Sequence, residues 1–151
     1  MADTIRELII TDIKVKLETI RIGSGYNTDI GQNVGRGQTE FDLSALPAIS
    51  LLPGIETASQ VYGEQTCLME VSVHALHSLG STNASVLGEQ MLGDMLACLI
   101  GERASITRIN SIQYLDGGVE EYPTPEEQVV TARVRVEVEY TTNLGDPYNQ
   151  P

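Results

Sequence analysis

The two histidines, the two cysteines, Ser72 and a cluster of carboxylates are the residues of this chain whose types and spacing could do chemistry. A shared metal ion would need His74 and His77 on the same side of their element. Three residues apart on a strand they point to opposite faces, so one ion cannot take both. Ser72 shares the His74 face, the minimum for a hydroxyl nucleophile and its base. No Gly-x-Ser-x-Gly elbow accompanies it. Cys67 and His74 fall on opposite strand faces, which leaves a thiolate–imidazole dyad without local support. Cys67 and Cys98 form no Cys-x-x-Cys, so neither a zinc ribbon nor a dithiol redox site is available. Two buried free thiols are the expectation. Gly23-Ser24-Gly25 and Gly35-Arg36-Gly37 are not followed by Lys-Ser or Lys-Thr, which a phosphate loop requires, and read as turns. Glu120, Glu121, Glu126 and Glu127 could surround a divalent cation, but the spacing is not that of a calcium loop. A solvated hairpin tip is the simpler reading. No catalytic residue, metal ligand or cofactor site is assigned, and the question becomes what the chain binds.

The elements that must position these residues follow from periodicity. Thr4 and Glu7 make a capping box before a helical stripe of Ile5, Leu8, Ile9, Ile13, Leu17 and Ile20, which Gly23 and Gly25 should end. Residues 23–39 are rich in Gly, Asn, Asp and Ser, and Tyr26 and Val34 could face each other across an irregular hairpin. Ala48-Ile49-Ser50-Leu51-Leu52 reads as a short strand whose length Pro47 and Pro53 limit. Residues 64–77 predict a longer strand with Cys67, Met69, Val71, Val73 and Ala75 on its core face. Ser81-Thr82-Asn83 cap a second helix with Val86, Leu87, Met91, Met95, Cys98 and Leu99 on its apolar side. Gly88 and Gly93 inside that helix suggest close approach to a neighbour. Residues 108–115 and 129–141 predict two more strands. The last has the cleanest alternation in the chain, from Val130 to Tyr140.

This order predicts an α+β fold. An antiparallel sheet of about four strands carries two helices on one face, with an extended hairpin and loop region. Residues 1–142 form one domain, and residues 143–151 a flexible tail. The other sheet face is mixed, and a partner would suit it. On it, Arg133 and Arg135 share a side with Glu137 and Glu139. Cross-strand ion pairs within the chain and charged contacts to a neighbouring subunit are both open.

The 151 residues carry a net charge of −12, and 41% are hydrophobic with no Trp and one Phe. The core must be aliphatic. Such acidity opposes binding to phosphates, because that binding needs Lys and Arg. It either serves solubility alone or forms a wall to which nucleic acid does not stick. The first residues include Asp3 and Glu7 with no long apolar run, so no signal peptide or membrane span is expected. A soluble protein made and used in a cytoplasm is the expectation.

Three stretches carry a resemblance. They are Gly25-Tyr26-Asn27-Thr28-Asp29-Ile30-Gly31 after the first helix, Leu46-Pro47 leading through a short strand to Pro53-Gly54, and a valine-rich last strand running into Tyr140-Thr141-Thr142 and Gly145-Asp146-Pro147-Tyr148. In this order they resemble the tail-terminator, or tail-completion, proteins of long-tailed bacteriophages. The resemblance implies a structural virion protein without enzymatic activity or cofactor. Such proteins form a hexameric ring that caps the head-proximal end of the tail tube, stops its polymerisation and joins it to the neck. DNA passes through the centre. The implied partners are further copies of the chain, the tube protein and a neck or connector protein, with no membrane and no specific DNA contact. The implied location is the virion, assembled in the host cytoplasm. Candidate lumen or interface residues are Tyr26, Asp29, Glu40, Asp42 and Glu56 around the Gly-rich segment, Glu120 and Glu121 in the later loop, and Arg133 and Arg135 on the last strand. Another neck or tube component is the alternative, and a small ligand-binding or enzymatic α+β domain is a further one.

Overall fold

The computed structural model describes residues 2–38, 41–101 and 106–151. Helix α1 spans Ile5–Leu17, strand β1 Val34–Arg36, β2 Ala48–Val61, β3 Glu64–Ser78, helix α2 Ala84–Leu96, β4 Ser111–Glu121 and β5 Val129–Asn143. The strands form one five-stranded sheet in the order β1-β2-β3-β5-β4. β1 pairs parallel with β2, and all other neighbours are antiparallel, so the sheet is mixed. The fold is α+β, with one strand more than the sequence suggested.

Alternation builds the two central strands. Cys67, Met69, Val71, Val73 and Ala75 of β3, and Val130, Ala132, Val134, Val136, Val138 and Tyr140 of β5, are all buried on one face. Each valine taken out of water there contributes about 1.5–3 kcal/mol. Ile9, Ile13 and Leu17 of α1 and Leu87, Met91 and Met95 of α2 complete this core. Val86, expected on the apolar side of α2, is 50% exposed instead. Its neighbour Leu87 already occupies the sheet-facing position, and the adjacent residue on a helix turns about 100° away. Gly88 does meet a neighbour: a Cβ there would stand 2.5 Å from a Val119 methyl. Gly93 faces open space.

The caps behave as their residue types dictate. Thr4 accepts from the Glu7 amide at 3.1 Å, and Asn83 from the Ser85 amide at 2.9 Å. The Glu7 carboxylate binds Arg36 of β1, at 2.6 Å to one guanidinium nitrogen. α1 ends at Leu17, earlier than the apolar stripe suggested. The Thr19 hydroxyl donates back to the Lys16 carbonyl at 2.6 Å, and the chain then tightens to drop Ile20 into the core. Gly25, at φ 97°, closes a later single turn over Ile22–Ser24.

Three sequence expectations need correction. Tyr26 and Val34 do not face each other across a hairpin, because Val34 pairs parallel with Ile49 of β2. Pro53 does not end its strand. It sits beside a register break between Pro53 and Glu56, where its missing N–H is tolerated, and β2 runs on to Val61. A two-residue turn, Tyr62-Gly63, with φ of 49° and 81°, then joins β2 to β3. The strand expected over 108–115 does not stop there: β4 takes in Asp116, Gly117 and Gly118 and continues through two irregularities to Glu120 and Glu121, which were expected in a loop.

The end of the chain is hydrogen-bonded to the body. The Pro147 carbonyl accepts from the Ile5 amide at 2.8 Å, which satisfies one first-turn donor of α1. The Leu144 amide donates to the Gly63 carbonyl at 2.9 Å, and the Gln150 side chain donates to the Arg108 and Thr141 carbonyls at 2.9 and 3.0 Å. Segment 143–151 is thus tied to α1 and to the β2–β3 turn. Among the described residues no helix is long and apolar enough to cross a membrane.

Candidate functional site

In the Gly25–Gly31 stretch, Thr28, Ile30 and Gly31 are buried, while Gly25 and Asn27 are exposed. Asp94 of α2 receives the Asn27 amide at 3.0 Å, the Thr28 amide at 2.8 Å and the Thr28 hydroxyl at 2.6 Å. Ile30 is fully buried in the core. The Gly31 amide donates to the Ile20 carbonyl at 3.0 Å, and a Cβ at Gly31 would lie 2.5 Å from the Leu17 carbonyl oxygen. Asp29 accepts from the Ile22 amide at 2.8 Å. These residues therefore staple the ends of both helices together. Tyr26 is half-buried against the core. Asp42 is exposed at the start of a short turn over Leu43–Ala45. Glu40 lies outside the described residues.

Glu56 stands on the helix side of the sheet. It pairs with Arg6 of α1 at 3.2 Å and accepts the Tyr140 hydroxyl. Burial, and donation to Glu56, push the Tyr140 hydroxyl well above the ordinary tyrosine value. Thr4, Gln65, Cys67 and Asp146 surround the same small cavity of about 250 Å³. Cys67 and Cys98 are buried, and neither is in a disulfide.

The remaining candidates gather on the face of the sheet that no described helix covers. Leu68, Glu70, Ser72, His74 and Leu76 of β3 lie across from Glu139, Glu137, Arg135, Arg133 and Thr131 of β5. Arg135 is held between Glu70 at 2.5 Å and Asp116 at 2.6 Å, and Arg133 reaches Asp116 at 3.6 Å. The guanidinium hydrogen bond from Arg135 holds the Asp116 carboxyl below its usual range. Glu120 meets the His74 ring at 2.9 Å, and Glu121 stands opposite Thr131. Together with Phe41, Leu52, Leu76 and Glu127 they line a trough of about 550 Å³. Glu70, Glu137 and Glu139 continue the acid along the sheet, and Arg133 and Arg135 are the only cations opposing it on the β3 and β5 rows. The face is net acidic. The His77 ring instead contacts the Ser78 carbonyl at 2.7 Å. Among the described residues no group of three or more His, Cys, Asp or Glu side chains could hold a metal ion.

Reasoning from sequence missed the exposed tip of the β2–β3 hairpin. The β2–β3 hairpin carries Ile55, 80% exposed, and Tyr62, fully exposed, with Val61 beside it. The signal was Val61-Tyr62-Gly63-Glu64, an X-Gly pair between two alternating runs.

Fold and surface together define a two-layer α+β protein with a mixed sheet, one uncovered acidic face and one exposed hairpin arm. No family model and no curated protein matches the chain.

Proposed function

We propose that this chain is a ring-forming structural protein of a phage virion, of the tail-terminator kind. Copies close into a ring, hexameric in this reading, that caps the head-proximal end of the tail tube. The ring ends tube growth, meets the neck on its other side and lets DNA through its centre. The observation that carries the reading is the uncovered acidic sheet face. An uncovered face with mixed apolar and charged side chains suits a partner or an enclosed channel. Phosphates passing a wall of carboxylates find no counter-charge to release their ions onto, so DNA slides without binding. Arg133 and Arg135 do not undo this, because Asp116 and Glu70 hold them in the plane of the face. Binding by shape and by repulsion needs no catalytic group.

Adding the purified chain to growing tail tubes tests the proposal. The expected result is tubes that stop lengthening, each with added density at one end. Long filaments formed by the chain alone would instead favour a tube component. Tubes that grow unchanged with no chain attached would overturn both readings.

A further inference from the structure

The two edges of the sheet are unlike each other, and both are partly bare. β1 covers only Ile49, Ser50 and Leu51 of β2, so no described strand lies outside β2 from Leu52 onward. Pro53 and the register break up to Glu56 spoil the first part of that edge for pairing. Residues 57–61, Thr-Ala-Ser-Gln-Val, are regular and uncharged. They lack the lysines, prolines and bulges that normally guard an exposed edge. In a two-residue hairpin the flanking pair, here Val61 and Glu64, exchanges both hydrogen bonds. Alternation then turns the amides of Ala58 and Gln60 toward the open side. At the opposite edge, residues 111–115 of β4, Ser-Ile-Gln-Tyr-Leu, are also uncharged; Tyr114 and Leu115 are exposed, and Leu115 lies at the register break before Asp116.

The charge pattern names the occupant. Two copies at −12 each repel one another wherever acid meets acid. Both strips lack that acid, and each has the bare backbone the other needs. Strand direction agrees. β2, β3, β5 and β4 alternate in direction, so β2 and β4 are opposed within one sheet. Rotation about an axis from which the strands tilt, as in a closed barrel, therefore brings β4 of one copy antiparallel to β2 of the next. In the sheet, Thr57 stands level with Ser111, across Leu68 and Glu139. Pairing the two strips shifts neighbours along the strand direction, the stagger that a closed sheet requires. We propose that residues 57–61 of one copy add as a strand to residues 111–115 of the next, so that the sheet runs continuously around the ring. The contact is heterologous, as ring closure demands. It rests on the ring reading above and specifies the docking surfaces.

The test is sedimentation velocity of the full chain, alone and with tail tubes, for wild type, Gln60→Pro and Gln113→Lys. Gln60→Pro removes an outward donor and keeps the β3 ladder. Gln113→Lys places a charge opposite Glu137 on the other edge. Circular dichroism checks folding, and Gln60→Lys replaces the proline variant if that one unfolds. The expected result is a self-association constant at least about tenfold weaker for each variant. Mixed, the two variants keep one good arm and one good edge, so they should form a one-to-one dimer that grows no further. Upon wild-type assembly, the Ala58 and Gln60 amides should gain hydrogen-exchange protection. Folded variants that ring like wild type would overturn the edge pairing and leave the ring reading standing. Loss of association in one variant but not the other would show an isologous contact and overturn it too. A wild type that never associates, even on tubes, would remove the ring reading itself.

Discussion

Gly31 is where a single missing methyl matters most. A Cβ there would stand within 2.8 Å of three backbone atoms at the end of α1, none of which can rotate away. Gly31→Ala should cost about 1–3 kcal/mol. Gly93→Ala, with open space around it on α2, should stabilise by about 0.5–1 kcal/mol. Urea unfolding of the two variants reads opposite signs from the same chemical change. Asp94→Ala strands two amides and a hydroxyl and should cost roughly 3 kcal/mol by the same assay. Two ionisations give opposite pH limbs. The carboxyl of Asp116 is lowered in the folded chain by its hydrogen bond from Arg135. Its contribution is complete above the ordinary carboxyl value and is lost as pH falls through the folded one, so Asp116→Asn should flatten the acid limb of the urea midpoint. The hydroxyl of Tyr140 is raised, chiefly by burial. Its contribution is complete below the ordinary tyrosine value of about 10 and is lost as pH rises through the folded one. Tyr140→Phe should therefore remove part of the alkaline limb.

At the scale of elements, β3 and β5 were legible because each buries one face against helices and leaves the other open. That arrangement writes period two into Cys67 to Ala75 and Val130 to Tyr140. The caps Thr4 and Asn83 were legible because they act within their own turn. β1 was not. Three residues paired in parallel to a strand that starts over ten positions later leave no local pattern. β2 was half legible, since Pro53 reads as a stop unless the register break beside it is known. The role of Asp94 was hidden because its partners Asn27 and Thr28 are more than sixty residues away. Glu120 and Glu121 read as a loop tip because Gly117 and Gly118 suggest a turn. In the fold, Gly117 serves close approach instead, with a virtual Cβ 2.6 Å from the Arg133 carbonyl oxygen. Of the candidate surface residues, Glu120, Glu121, Arg133 and Arg135 share the uncovered face. Asp29 and Glu56 turn to internal partners. The tip of the β2–β3 hairpin is exposed to solvent. Its amides at Ala58 and Gln60 should exchange faster in the isolated chain than those at Val71 and Val73 in the core.

At the scale of the molecule, charge and shape work together. In the proposed ring, acid on the uncovered face would keep phosphates at a distance, while the uncharged strips at the two edges would let acidic copies meet. Glu137→Lys with Glu139→Lys should turn that wall into one that binds DNA. Retention of duplex DNA on assembled rings should rise from none to a level that falls steeply with added salt. The most direct measurement is cryo-electron microscopy of the chain bound to tail tubes. The expected result is a closed ring at one end of each tube, with Glu137 and Glu139 facing the central channel. A channel lined by lysine and arginine, or tubes whose ends carry no ring, would contradict it.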